Sequence, residues 1–197
     1  FTLERVTIRD NEAPTGAQFG GAVLNTSKLE VVNSTFSGNV ATTVDGADLA
    51  NVFAGEATVL HSTFVGATGP SAVASGGSSL VVTNSVAAGG AFACSGPVDG
   101  SGNVTIDSPA VCPGATATSS ALALQPLADN GGETPTVRLA PTSTAIDAGD
   151  PAACLTSDQR GSSRPEGTTC DAGAYKLDPA TATSLTATPS PSSFGAI

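Results

Sequence analysis

The sequence predicts an all-β fold, a right-handed parallel β-helix. Three observations carry that expectation. One short pattern recurs four times: FTLERVTIRDN at 1–11, LEVVNSTFSGN at 29–39, ATVLHSTFVGA at 57–67 and LVVTNSVAAGG at 80–90. Ile8, Phe36 and Phe64 fall in register at steps of 28, and the fourth copy follows after 23 residues with Ala87 in that place. Within the copies apolar residues alternate, as in Leu29-Glu30-Val31, instead of recurring at helical spacing. A strand-type repeat of this length points to a solenoid with one turn of chain per repeat.

Residues 1–107 are read as the coils. Each copy ends on a turn of small or polar residues: Asp10-Asn11, Gly38-Asn39, Gly66-Ala67 and Gly89-Gly90. A second Gly-rich turn and a short apolar run separate the copies, as at Gly20-Gly21-Ala22-Val23-Leu24. A fifth, degenerate rung is expected at 102–107. A single coil cannot bury its own inward side chains. Stacked coils pair backbone with backbone ~4.8 Å apart, so like residues sit above like. Ile8, Phe36 and Phe64 are therefore the expected core stack. Asn33, His61 and Asn84 align too, as do Ser34, Ser62 and Ser85. Inward ladders of Asn or Ser would satisfy polar atoms from coil to coil. His61 is read as a hydrogen-bonded member of such a ladder, not as a lone base.

Residues 108–176 break the pattern and are read as the last coils and a cap, because an uncovered last coil exposes a β edge and an apolar face. Within them, 115–124 reads as loop or helix and Val137-Arg138-Leu139 as a strand. Residues 177–197 are rich in Thr, Ser and Pro and read as an extended linker, with a lone strand at 184–188.

Composition narrows the function classes. The chain has 197 residues, enough for one continuous core and a tail. Aromatic residues make up only 4 %, and 23 glycines favour a thin regular stack over a bulky core. The net charge of −10 argues against nucleic acid or an anionic membrane surface, which require clustered Lys and Arg. No apolar run approaches the ~20 residues of a membrane-spanning helix. Phe1 opens within a repeat copy, so the chain is read as part of a longer precursor. The four cysteines, Cys94, Cys112, Cys154 and Cys170, allow three pairings. Pairing neighbours closes loops of 18 and 16 residues. Two disulfides and an extracytoplasmic location are expected, with no zinc site, since no CxxC pair is present and His61 lies far off.

The stretches PLADNGGETPTVRLAPTSTAIDAGD (126–150) and DQRGSSRPEGTTCDAGAY (158–175) resemble the closing segment of bacterial secreted parallel β-helix proteins of the choice-of-anchor Q or polymorphic-outer-membrane-like type. The NSTFSGN and GGAV signatures of the repeats look like the same family. Residues 184–195 are similar to the opening strand of an immunoglobulin-like repeat. The resemblance implies a modular extracellular or surface protein with no established common activity. It also implies pairing of Cys94 with Cys112.

The densest charge cluster is Asp147, Asp150, Asp158, Arg160, Arg164 and Asp171. As chemistry, its carboxylates offer the hard oxygen ligands that Ca²⁺ takes, or, with the arginines, a sugar site. As structure, Arg160 and Arg164 pair with Asp147, Asp158 or Asp171 and lock the cap beside Cys154 and Cys170, and this is the expectation. A polysaccharide lyase needs a base and an acid-neutralising cation, yet Arg5, Arg9 and Lys28 share no rung position. A glycoside hydrolase needs two facing carboxylates; Asp45 and Asp48 sit in the Gly46 turn. The expected function is thus non-catalytic: a stalk, spacer or adhesin with no cofactor. Its expected partners are copies of itself, joined through the open first coil and the tail, or glycans and host or cell surfaces. The alternative is a carbohydrate-binding or polysaccharide-degrading protein.

Overall fold

The computed structural model describes residues 1–14, 16–77, 79–106, 112–164 and 169–178. It is a β-solenoid. The first coil carries β1 (Thr2–Glu4), β2 (Thr7–Arg9) and β3 (Val23–Asn25); the second carries β4 (Lys28–Val32), β5 (Thr35–Ser37) and β6 (Leu49–Asn51). The third carries β7 (Glu56–Leu60), β8 (Thr63–Val65) and β9 (Ser71–Ser75); the fourth carries β10 (Leu80–Thr83), β11 (Val86–Ala88) and β12 (Phe92–Ser95). Stacking gives three parallel sheets. The first is β1-β4-β7-β10 and the third is β3-β6-β9-β12. The second is β2-β5-β8-β11, lengthened by β13 (Val104–Thr105) and β14 (Ala115–Thr116). β13 is the expected fifth rung.

Vertical register follows the repeat. Ile8 pairs with Phe36, Phe36 with Phe64, and Phe64 with Ala87. The Phe36 and Phe64 rings stack at 4.8 Å between centroids and both are fully buried. The other sheets build parallel columns. Leu3, Val31, Val59 and Val82 form one, and Val23, Leu49, Val73 and Cys94 another. Each inward side chain thus fills the gap between its neighbours above and below, which is where the burial free energy of a one-residue-wide core comes from.

The Ser ladder closes one corner. The hydroxyls of Ser34, Ser62 and Ser85 accept from the backbone N–H of Val6, Ser34 and Ser62 at 3.3, 3.3 and 3.1 Å. Each also donates to the carbonyl two residues before it: Val32, Leu60 and Thr83. Asn103 extends the series, accepting from Ser85 N–H at 2.9 Å. At the opposite corner Asn25 donates to Asn51 across 2.7 Å.

After β14 a single helical turn, α1 (Ser119–Leu122), leads into a hairpin of β15 (Leu124–Ala128) and β16 (Thr136–Leu139). The 115–124 segment is therefore a short strand and then a helix turn. A 3₁₀ turn follows at Pro151–Ala153. This block differs from the expected cap in placement. It lies lengthwise along the outer face of the second sheet rather than only over the last coil. Leu122, Leu139, Ala145, Ala172 and Tyr175 bury a second core against the outward-facing Val86 and Val104. The physical reason is that those outward positions are apolar, so the sheet has two faces to cover. The disulfides are Cys94–Cys112 and Cys154–Cys170. They fit a non-reducing environment. Among the described residues no helix is long and apolar enough to cross a membrane. The expected strand at 184–188 lies outside the described residues.

Candidate functional site

Two surfaces carry unusual chemistry: the flank bound by the C-terminal block, and a groove over the third sheet. The flank is built on a repeated bend. Between the first and second strands of each coil, Arg5, Asn33, His61 and Asn84 take left-handed backbone angles, with φ of 54°, 46°, 45° and 51°. Asn tolerates that region well; Arg and His do so less readily. These four align as the repeat predicts, but the inward ladder expected of Asn33, His61 and Asn84 is corrected here. Their side chains turn outward and are buried by the chain segment 150–159. A left-handed bend swings the side chain away from the coil interior, and the Ser that follows takes the inward place.

That segment runs back along the solenoid as a strap. Asp150 N–H donates to Asn84 at 2.6 Å, and Asn84 Nδ2 donates to the Asp150 carbonyl at 3.1 Å. Asn33 Nδ2 donates to the Ser157 carbonyl at 2.9 Å, and Arg5 donates to the Ser157 hydroxyl at 2.6 Å. Gln159 then reaches the second and first coils. Its carbonyl accepts from Thr35 at 2.6 Å and its amide donates to Thr7 at 3.0 Å. The return passage touches the third coil, where Ala174 N–H donates to Thr63 at 2.9 Å. The hairpin end reaches the first coil as well: Thr7 donates to the Pro135 carbonyl, and Thr134 to the Arg5 carbonyl. Thr7, Thr35 and Thr63 are one outward rank at steps of 28, and sequence reasoning passed over them as surface.

His61 sits at the centre of the strap and is fully buried. Its Nε2 faces two donors, Asn84 Nδ2 at 3.1 Å and Leu155 N–H at 3.4 Å. Nε2 is thus the acceptor and Nδ1 carries the proton. Burial, aided by the Arg164 charge, lowers its pKa to about 3, so the ring is neutral near pH 7. The Cys154–Cys170 bridge lies against it, with Cys170 Sγ 3.8 Å from Nε2.

The ion-pair network is smaller than expected. Asp158 is fully buried and accepts from Arg160 Nε and Nη2 at 2.9 and 2.8 Å. It also accepts from the backbone N–H of Arg160, Ser162 and Lys176. Arg160 lies 3.8 Å over the Tyr175 ring. Two members are corrected. Among the described residues Arg164 bonds no carboxylate; it donates to the carbonyl oxygens of Asp171 and Gly173 at 2.8 and 2.7 Å. Burial draws its pKa down to about 10. Asp147 leaves its side chain exposed and contributes its backbone N–H, which donates to Asp171 at 3.0 Å. Asp147 adopts φ of 54°, and that bend points its carboxylate away. Among the described residues no three His, Cys, Asp or Glu groups converge on one point. The oxygens of Asp158 and Asp171 already receive backbone N–H donors.

Asp45 and Asp48 part company across Gly46. Asp48 turns into the solenoid interior, fully buried; Oδ1 accepts from Asn39 at 2.7 Å and Oδ2 has no partner. Burial raises its pKa to about 7. Asp45 is exposed beside a groove of about 280 Å³ on the outer side of the third sheet. Ser71 orients it: Ser71 Oγ accepts from Gly46 N–H at 3.0 Å and donates to Asp45 at 3.1 Å, leaving Ser95 to donate to Ser71 at 3.1 Å. Ala50, Ala74 and Gly76 make a smooth floor. Phe19 forms one wall, and Phe53 meets it edge-on at 5.5 Å. Phe53 is 67 % exposed and has φ of 57°. A bulky residue in that region costs on the order of 1–3 kcal/mol.

Comparison with protein-family models, with curated proteins and with solved structures returns no match.

Proposed function

We propose that this chain is a non-catalytic structural module of an extracellular or cell-surface protein, a stiff spacer or adhesin segment. The observation that carries the proposal is the strap, which binds the flanks of coils one to four. An ordinary solenoid is a sum of nearest-neighbour contacts and frays from its ends. Here an end coil cannot leave without also breaking the bonds of Arg5, Thr7 and Thr35 to residues more than 120 positions away. The 16-residue loop closed by Cys154–Cys170 holds the two passages of the strap together. Such cross-bracing suits an element that transmits force or sets a distance. The choice-of-anchor-like sequence of the C-terminal block adds to this reading.

Forced unfolding of single molecules tests it. The oxidised protein is expected to rupture in one high-force event, and the reduced protein in several weaker ones. Stepwise, low-force peeling of the oxidised protein would sink the proposal. Assembly of copies by strand addition belongs to the same proposal, since β1, β2 and β3 each stand at the end of a sheet. Light scattering across a concentration series is expected to show growing mass, lost on deletion of residues 178–197. The competing polysaccharide-degrading reading predicts release of reducing sugar from plant or microbial glycans.

A further inference from the structure

We infer that the groove over the third sheet is a binding site for a glycan chain without negative charge. Its floor crosses three coils at Ala50, Ala74 and Ser95, so it extends on the order of 10 Å along the stack. The spacing of its strands is close to the length of one sugar unit in an extended chain. The floor is flat because its side chains are small, and it lets a ring lie flush. One wall is aromatic, as the apolar C–H face of a sugar requires. The polar groups are Gln18, Thr43, Asp45, Ser75 and Ser95. They include a carboxylate and no cation. An acidic glycan would bury its charge against Asp45 without compensation, whereas sugar hydroxyls or an amine would meet oriented acceptors.

Phe53 is the independent observation. A phenylalanine there is unfavourable twice over: its backbone sits where glycine is preferred, and its ring faces water. Folding gains nothing from that choice that a glycine would not supply. Together with Phe19 it builds an exposed aromatic ledge beside the oriented Asp45. Binding explains why such a residue stands at such a bend. This site is independent of the spacer reading, because a braced rod with an empty groove is still a rod.

The test is calorimetric titration of the full chain with cellohexaose, chitohexaose and hexagalacturonate. Saturable binding of one of the two neutral hexasaccharides is expected, with a Kd on the order of 1 mM or tighter. Phe53→Gly and Asp45→Asn are each expected to weaken it about tenfold or more. Phe53→Gly should leave the melting temperature unchanged or higher, which separates lost binding from lost folding. Silence from both neutral probes at about 10 mM overturns the inference. So does tighter binding of hexagalacturonate, or binding that survives Phe53→Gly unchanged.

Discussion

Asp48 makes stability fall as pH rises. In the unfolded chain its carboxyl titrates near the ordinary 3.8; in the folded chain burial lifts it to about 7. Below the lower value both states hold the proton, and the group costs nothing extra. Between the two values the unfolded chain releases its proton and the folded chain does not, so stability falls with each pH unit. The roughly 3 units separating the values, at 1.36 kcal/mol each, amount to about 4 kcal/mol. Its burial is complete, so solvent screening gives no large discount. Asp48→Asn reproduces the neutral acid. It keeps an oxygen for Asn39 Nδ2 and leaves one polar atom unpaired, as now. Urea unfolding followed by far-ultraviolet circular dichroism should therefore give matching midpoints near pH 4. The curves should diverge by pH 8, with the variant more stable and melting roughly 10 °C higher. Carboxylates shifted the other way, such as Asp150, held low by the Ser101 hydroxyl, are common to both proteins and cancel in the difference. Parallel pH profiles for the two proteins would refute the reasoning.

Phe36→Ala removes half of the buried ring stack and is expected to cost about 3–5 kcal/mol, read from denaturation midpoints; a loss under about 1 kcal/mol would mean the column collapses freely. Replacing Cys154 and Cys170 by Ser should cost about 3 kcal/mol from the loop alone. Hydrogen exchange should then rise first at the strap-facing backbone of Asn33, His61 and Asn84, before the interior strands. Gly173→Ala combines φ of 94° with a Cβ 2.8 Å from Thr63 Oγ1, so it should lift the returning passage off the flank and cost about 1–3 kcal/mol in thermal unfolding.

The coils were legible because their signal is local and repeated. Ile8, Phe36 and Phe64 occupy one place in three near-copies, and a 28-residue step leaves no other stacking partner. The Ser ladder was legible for the same reason. The strap was not, because its contacts join residues about 70 to 150 positions apart that share no repeat. Its receiving rank was nevertheless written in the sequence. Thr7, Thr35 and Thr63 recur at the core's own period, one residue before each core position. A β-strand alternates its faces, so such a rank must point outward. An outward Thr rank reads as solvated surface unless something covers it. Val86 continuing that rank was the missing clue, since an outward Val beside a buried column signals a second covered face. Asp48 and Phe53 were illegible for a different reason. Each sits next to a Gly-rich turn, where charge and exposure are the ordinary expectation, and each violates it in the opposite sense. A carboxyl went inside and an aromatic ring stayed outside. Neither placement helps a bare solenoid fold, and so the burden of explanation for both passes from architecture to function.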